Sequence, residues 1–222
     1  GKLNTVVKDP SGRNQFVLET FVHYGAPEEI TYENKPHIGT DVLSQVIGNM
    51  RKDLIAKGAE FHFESCVKDL VIENGRIAAV VTEEETYPAS AVILALGHSA
   101  RDTFEMLDAK KEIPMEVKNF AVGFRVEHPQ TMIDTIMYGD YKGAKLPASP
   151  YKVTSNFPNG RGVYSFCMCP GGYVVNASSE EGRSCVNGMS YSGRNGANAN
   201  SAIIVSVTPQ DFGADDPLAG MR

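Results

Sequence analysis

Hydrophobic and polar positions repeat at helical spacing most clearly between Thr40 and Gly58. Thr40 is predicted to cap this helix, Asp41 to favour the helix dipole at its start, and Gly58 to end it. One face of the predicted helix carries five apolar side chains: Leu43, Val46, Ile47, Met50 and Leu54. Such a face needs a covering layer, and a parallel sheet is the expected one.

Strand-like segments follow the helix at residues 60–64, 68–73 and 76–82, with a short one near Thr86 and Tyr87. Asn74-Gly75 predicts a tight hairpin turn, because both residues tolerate a positive φ. The last three of these segments therefore predict a three-stranded antiparallel meander, and residues 60–64 are expected to form a strand of the parallel sheet. The next run, Ala91–Leu96, is apolar at every position, which is typical of a strand buried on both faces of a parallel sheet.

The second half of the chain has an antiparallel, β-rich texture after Pro114. Residues 119–127 alternate as a strand does, and 130–138 indicate a short helix. Two strands, 163–169 and 173–177, flank Pro170-Gly171-Gly172 and predict a hairpin. Residues 178–200 are interpreted as a long loop and 202–207 as a last strand. Residues 15–22 fit either a strand or a helix.

This order of elements predicts an α/β fold, α+β overall. Residues 37–113 are expected to form part of a Rossmann-like nucleotide-binding domain with the meander inserted, and residues 1–36 with 114–222 a second, antiparallel domain of the substrate-binding type. No stretch spells the Gly-x-Gly-x-x-Gly fingerprint of such a domain. We therefore interpret the chain as an internal fragment of a longer protein.

Composition excludes several classes of function. The 222 residues carry a formal charge of −6 with no basic run, which argues against a nucleic-acid partner. No apolar stretch approaches the ~20 residues of a membrane span. The four cysteines are too scattered for a disulfide scaffold, so a cytoplasmic protein is expected, with no bound metal.

Several motifs together resemble a family of uncharacterised FAD-dependent dehydrogenases, also called NAD(FAD)-utilizing dehydrogenases, which are relatives of the glutathione-reductase-type flavoproteins. The motifs span nearly the whole chain: residues 35–41, 93–104, 161–172, 187–190 and 198–202. The resemblance implies an FAD-dependent oxidoreductase whose FAD passes close to Gly97, His98 and Ser99. It also implies that the backbone at Cys66 and Val67 faces the adenine.

The missing fingerprint limits what this chain does by itself. Backbone amides of that loop normally meet the pyrophosphate, so FAD is expected in the full-length protein and is expected to bind this chain weakly or not at all. Whether NAD(P) takes part is left open. The alternative is a non-catalytic binding or interaction domain derived from a flavoprotein.

Three residues are the catalytic candidates: His37, Cys167 and Cys169. The two cysteines are two residues apart on a predicted strand and would share a face; a redox pair, part of a metal site with Cys185 and two inert buried side chains all stay open. Gly171 and Gly172 could let the backbone approach a flavin ring. His37 could relay a proton to substrate. Arg125 and Arg194 could bind an anionic substrate.

The sequence does not identify the small-molecule substrate. It does predict a structural hazard, because the expected parallel sheet lacks its fingerprint strand. An open sheet edge can pair with another copy of the same chain, so homodimerisation through that edge is expected.

Overall fold

The structure is a computed structural model that describes residues 3, 8–110, 112–140, 145–213 and 215–221. Contacts divide the chain into two compact units. The first unit comprises Gly1–Glu60 and Val122–Val205, and the second comprises Phe61–Ala121 and Ser206–Arg222. The predicted domains were 37–113 and 1–36 with 114–222, whereas this division groups residues 37–60 with the β-rich second half and residues 114–121 and 206–222 with 61–113.

The described residues form five α-helices and nine strands, besides two short 3₁₀ turns. The helices are α1 (Arg13–His23), α2 (Thr40–Ala56), α3 (Arg101–Ala109), α4 (Gln130–Tyr138) and α5 (Pro209–Phe212). The strands are β1 (Val67–Glu73), β2 (Arg76–Thr82), β3 (Thr86–Pro88), β4 (Phe120–Pro129), β5 (Thr154–Asn156), β6 (Gly162–Cys169), β7 (Gly172–Asn176), β8 (Val186–Ser190) and β9 (Asn198–Val207).

Helix α2 confirms the prediction of a helix from Thr40. Gly39 rather than Thr40 is the N-cap, and Gly58 follows the helix with φ of 92°. The amides of Gly58 and Ala59 bond to the carbonyls of Ile55 and Leu54, which closes the last turn.

The cover over α2 is helical, contrary to the predicted parallel sheet. Val46 is fully buried in a cluster with side chains from α1, from the 3₁₀ turn Glu28–Thr31 and from the segments on either side of that turn. The buried members are Leu18, Ala26, Ile30, Ile38 and Val46. Ile47 and Leu54, predicted on the same face, are exposed. The spacing predicted a buried stripe correctly but could not tell which layer would cover it.

The predicted meander is confirmed in the second unit, where β1, β2 and β3 pair in that order. Asn74 and Gly75 have φ of 53° and 72°, as the tight turn requires. Helix α3 follows after the turn at His98 and Ser99. Its N-cap is Ala100, and no side chain caps it.

The prediction that Ala91–Leu96 is a buried strand of a parallel sheet is wrong. The run has no regular secondary structure, and Ile93 is 92% exposed. Residues 60–64 are likewise not a strand, and no parallel sheet forms among the described residues, so the Rossmann-like fold is not confirmed. A run of apolar residues predicts burial, but it does not show which strands lie beside it. A parallel strand forms only where neighbouring strands are present to pair with it.

In the first unit, β4, β9, β6 and β5 form a four-stranded sheet in that order, and β7 pairs with β8. The predicted helix 130–138 is confirmed as α4. The predicted hairpin of 163–169 with 173–177 is wrong, because β6 pairs with β5 and β9 instead. Gly171 and Gly172 thus carry the chain from one sheet to another. The region predicted as a loop, 178–200, contains β8 and the start of β9.

Candidate functional site

One cavity in the first unit brings together all three catalytic candidates. Its volume is about 80 Å³. The lining residues come from three parts of the chain: His37, Thr40, Cys167, Cys169, Gly188, Met189 and Ser190. The segment entering α2 supplies His37 and Thr40, β6 supplies the cysteines, and β8 supplies the rest. Both ring nitrogens of His37 are buried.

A β-bulge in β6 shapes the cysteine wall of this cavity. The pairing of β6 with β9 shifts register between Phe166 and Cys169, and Cys167 has φ of 48°. A non-glycine residue in this left-handed region stores strain of about 1–3 kcal/mol, and such residues cluster at functional sites. The bulge interrupts the alternation of a regular strand, which is the basis on which the sequence placed both cysteines on one face.

Two donors meet the carbonyl oxygen of Cys167. Arg125 donates through Nη1 at 3.2 Å, and the Cys169 thiol donates at 3.3 Å. Cys169 is 4% exposed and Cys167 is half-buried, so the two sulfurs differ in access. All four cysteines are thiols rather than members of disulfides. No cluster of three metal-binding side chains occurs among the described residues.

A buried amide also holds Arg125. The same Nη1 donates to Oδ1 of Asn200 at 2.6 Å, and Asn200 is fully buried. Gly188 lies against this pair, since a Cβ there would be 2.1 Å from Oδ1 of Asn200 and 2.2 Å from Nη1 of Arg125. Glycine at 188 therefore lets the cavity wall approach the guanidinium. Asn200 was not among the candidates predicted from the sequence, because it falls at the end of the segment 178–200, which was interpreted as a loop.

Asp41 links two segments that contribute residues to the cavity wall. Its carboxylate accepts from the amide of Ser192 at 3.0 Å and from the Ser192 hydroxyl at 2.7 Å. The hydroxyl bond is the main cause that holds the pKa of Asp41 below its ordinary value, and partial desolvation opposes it. This contact ties the segment after β8 to the first turn of α2, beside His37 and Thr40.

Gly171 and Gly172 lie close to the cysteines but are enclosed by protein. A Cβ at Gly171 would be 1.8 Å from the carbonyl oxygen of Arg194, and one at Gly172 would be 2.3 Å from that of Met189. The Gly171 amide donates to Oε1 of Gln130 at 2.8 Å. Packing within the first unit thus accounts for both glycines. Their approach to a flavin stays a prediction.

The candidate cofactor residues at the end of the apolar run lie in the second unit. An open, mostly apolar cavity of about 360 Å³ is lined by Leu94–His98 with Phe104 and Leu107. Gly97 has φ of 69°, and a Cβ there would meet nothing within 4 Å. The Cys66 sulfur lies 3.8 Å from Oδ2 of Asp102, so Cys66 and the first turn of α3 are neighbours.

These residues fit only one end of FAD. The apolar wall of Leu94, Leu96 and Phe104 suits a flat ring, and the open space at Gly97 allows a close approach. No lysine or arginine is among the residues that line the cavity. At the start of α3, Arg101 and Asp102 carry opposite charges. The lining itself therefore supplies no counter-charge for the pyrophosphate.

Comparison with known proteins shows that the second half of the chain is similar to a domain of FAD-dependent proteins. Residues 119–222 match the family model described as FAD-dependent protein, C-terminal domain-like. A protein of Clostridium beijerinckii (strain ATCC 51743 / NCIMB 8052), described as uncharacterized, is 46% identical over 224 residues. The alignment covers 100% of this chain and 42% of that relative, so the chain spans less than half of the relative's length. Among the described residues, no helix is long and apolar enough to cross a membrane.

Proposed function

We propose that this chain is part of an FAD-dependent oxidoreductase, and that the cavity of the first unit is where the substrate meets reactive side chains. The observation that carries the proposal is the convergence of His37, Cys167 and Cys169, from distant parts of the sequence, on one cavity. The match of residues 119–222 to FAD-dependent proteins supports the cofactor. When bound, FAD supplies the acceptor or donor of the electron pair.

The cavity residues supply proton chemistry and nucleophiles. The imidazole of His37 can accept or donate a proton, and it shares the cavity with two thiols. Thr40 and Ser190 add hydroxyl groups that can orient a polar substrate. Arg125 bonds to the Cys167 carbonyl and to Asn200, and both side chains lie against Gly188. These contacts hold the backbone at Cys167 in position.

On the cofactor side, we assign Gly97, His98 and Ser99, together with Cys66 and Val67, to the adenosine end of FAD. The apolar cavity beside Gly97 supports this assignment. The charged phosphates would be held by a part of the longer protein outside this chain. The chain alone is accordingly expected to bind FAD weakly.

Flavin content tests the proposal. The full-length protein is purified with Gly97→Val and with the matched control Gly182→Val, since both glycines are exposed, have φ near 70° and have open space at Cβ. We expect about one FAD per chain in the parent and the control, and several-fold less in Gly97→Val. A full-length protein that takes up no FAD on reconstitution would instead favour an interaction domain. Equal loss of FAD in both variants would show that Gly97 is not part of the FAD site.

A further inference from the structure

We propose that the cavity of the first unit is a thiol–disulfide exchange site, in which Cys167 attacks a small-molecule disulfide and Cys169 resolves the adduct. The proposal goes beyond the flavin chemistry and needs no bound FAD. It rests on the shared cavity, on the different exposure of the two thiols and on the contacts that converge on the Cys167 carbonyl.

Cys167 has the features of the attacking sulfur. It is the more accessible of the two thiols and lies on the cavity wall. The Arg125 guanidinium, bonded to the Cys167 carbonyl at 3.2 Å, places a positive charge beside this residue. Positive charge favours the thiolate, which is the nucleophilic form. The bulge at Cys167 presents the residue in a conformation that a regular strand does not offer.

Cys169 has the features of the resolving sulfur. It is almost fully buried, so a disulfide from solvent meets Cys167 first. Its S–H donates to the carbonyl oxygen of Cys167, 3.3 Å away, which holds the Cys169 side chain beside the attacking residue. His37 shares the cavity and can accept a proton from a thiol or return one to a leaving thiolate.

The exchange balances without another reactant. The Cys167 thiolate attacks one sulfur of R–S–S–R, which forms a mixed disulfide and releases RS⁻. The Cys169 thiol loses its proton and attacks the Cys167 sulfur, which forms the Cys167–Cys169 disulfide and releases a second RS⁻. Two protein thiols are oxidised and one substrate disulfide is reduced to two thiols. The protons left by the cysteines go to the two leaving sulfurs.

Cavity size selects the substrate class. The cavity is small, about 80 Å³. A space of this size favours one unbranched half of a small disulfide, such as a hydroxyethylthio group, over a branched peptide. Bis(2-hydroxyethyl) disulfide should therefore react at least about tenfold faster than oxidised glutathione, with both compared at equal concentration.

Peptide mapping of the reduced protein after exposure to bis(2-hydroxyethyl) disulfide tests the proposal. Both cysteines lie on one tryptic peptide between Arg161 and Arg183. We expect an internal disulfide in the parent, a lasting adduct on Cys167 in Cys169→Ser, and at least a tenfold slower reaction of the peptide in Cys167→Ser. The exposed Cys66 and Cys185 serve as internal references, since they have no resolving partner on the cavity wall.

Arg125 is tested as a positioning residue. Arg125→Met should move the pH profile of Cys167 alkylation by iodoacetamide to higher pH, and Arg125→Lys should restore part of the shift. Cys185 alkylation in the same samples should not move.

Two outcomes would overturn the proposal: adducts confined to Cys66 and Cys185, or an adduct on Cys167 that persists although Cys169 is present. Because the assay uses no flavin, its failure leaves the FAD proposal standing. Normal exchange by a protein that takes up no FAD would overturn only the FAD proposal.

Discussion

Gly171 shows how closely single residues are constrained beside the candidate site. Its φ is 52°, and a Cβ would overlap the carbonyl oxygen of Arg194 at 1.8 Å. Gly182 has a similar φ of 73° but open space around it. Gly171→Ala should therefore lower the free energy of unfolding by about 3 kcal/mol or more, and Gly182→Ala by about 1 kcal/mol, because only backbone strain acts there. Urea denaturation of both variants checks the difference, and equal losses would contradict the packing at Gly171.

The bonds of Asp41 should make the stability of the fold depend on pH. Its pKa is lowered by the bonds from Ser192, so the carboxylate stabilises the fold above its ordinary pKa of 3.8. That contribution is lost as the pH falls through the lowered pKa. Asp41→Asn should thus be less stable than the parent at neutral pH, with the difference closing in acid. Urea midpoints between pH 7 and about pH 3 measure it.

An exposed acid of the same unit, Glu33, provides the control for Asp41. Glu33→Gln should track the parent across the whole pH range. A difference for Asp41→Asn that stays constant with pH would assign the stability to packing rather than to the charged bonds.

The candidate site was partly predictable at the level of single residues. His37, Cys167 and Cys169 were selected because their side chains carry chemistry, and the structure places them in one cavity. Asn200 was missed, since its role depends on burial beside Arg125 after β4 and β9 have come together. The φ of Cys167 was also beyond prediction, because a bulge reflects the partner strand's register.

Among the elements, α4 is joined to its surroundings through Gln130. This buried side chain accepts from the Gly171 amide at 2.8 Å and donates to Asp134 at 2.7 Å and to the Ser149 carbonyl at 3.1 Å. Gln130→Ala would leave the Gly171 amide and the Ser149 carbonyl without these bonds. Each such buried group costs about 1–3 kcal/mol, so we expect a loss of roughly 3 kcal/mol.

Gln15→Ala is the matched control for Gln130→Ala. Gln15 is exposed on α1, and its side chain donates to Glu19 of the same helix at 3.0 Å. Its loss should stay within about 0.5 kcal/mol by thermal or urea unfolding. A loss below 1 kcal/mol for Gln130→Ala would show that water replaces the missing amide.

Helices and hairpins that depend on neighbouring residues in the sequence were predicted well. Strands that depend on pairing with segments distant in the sequence were not. Helix α2, helix α4 and the meander follow from spacing and from the Asn74-Gly75 turn. The pairing of β6 with β9 rather than with β7 depends on strands distant in sequence, which no local pattern records. Ala91–Leu96 failed for a related reason, since its apolar character predicted cover without identifying a neighbour.

At the scale of the whole molecule, the second unit leaves apolar surface uncovered. Ile93 and Leu94 are exposed, and a second cavity of about 240 Å³, lined by Leu70, Val92 and Leu94 among others, adjoins the run. The chain corresponds to 42% of its longer relative. We propose that Ala91–Leu96 forms a strand when a partner strand is present. For the 222-residue chain on its own, that partner is the same segment of a second copy.

The dimer prediction now rests on this run rather than on the edge of a parallel sheet. An apolar segment that no described strand pairs with can form a ladder with the same segment of another copy. The 222-residue chain should therefore dimerise as its concentration rises, and Ile93→Lys should weaken the dimer at least tenfold. Ile136→Lys is the matched control, because Ile136 is also exposed but lies on α4, whose backbone bonds are satisfied within the helix. Sedimentation velocity over a range of concentrations distinguishes the outcomes. A chain that stays monomeric throughout would refute the pairing, and equal weakening by both substitutions would assign the association to general hydrophobicity rather than to this run.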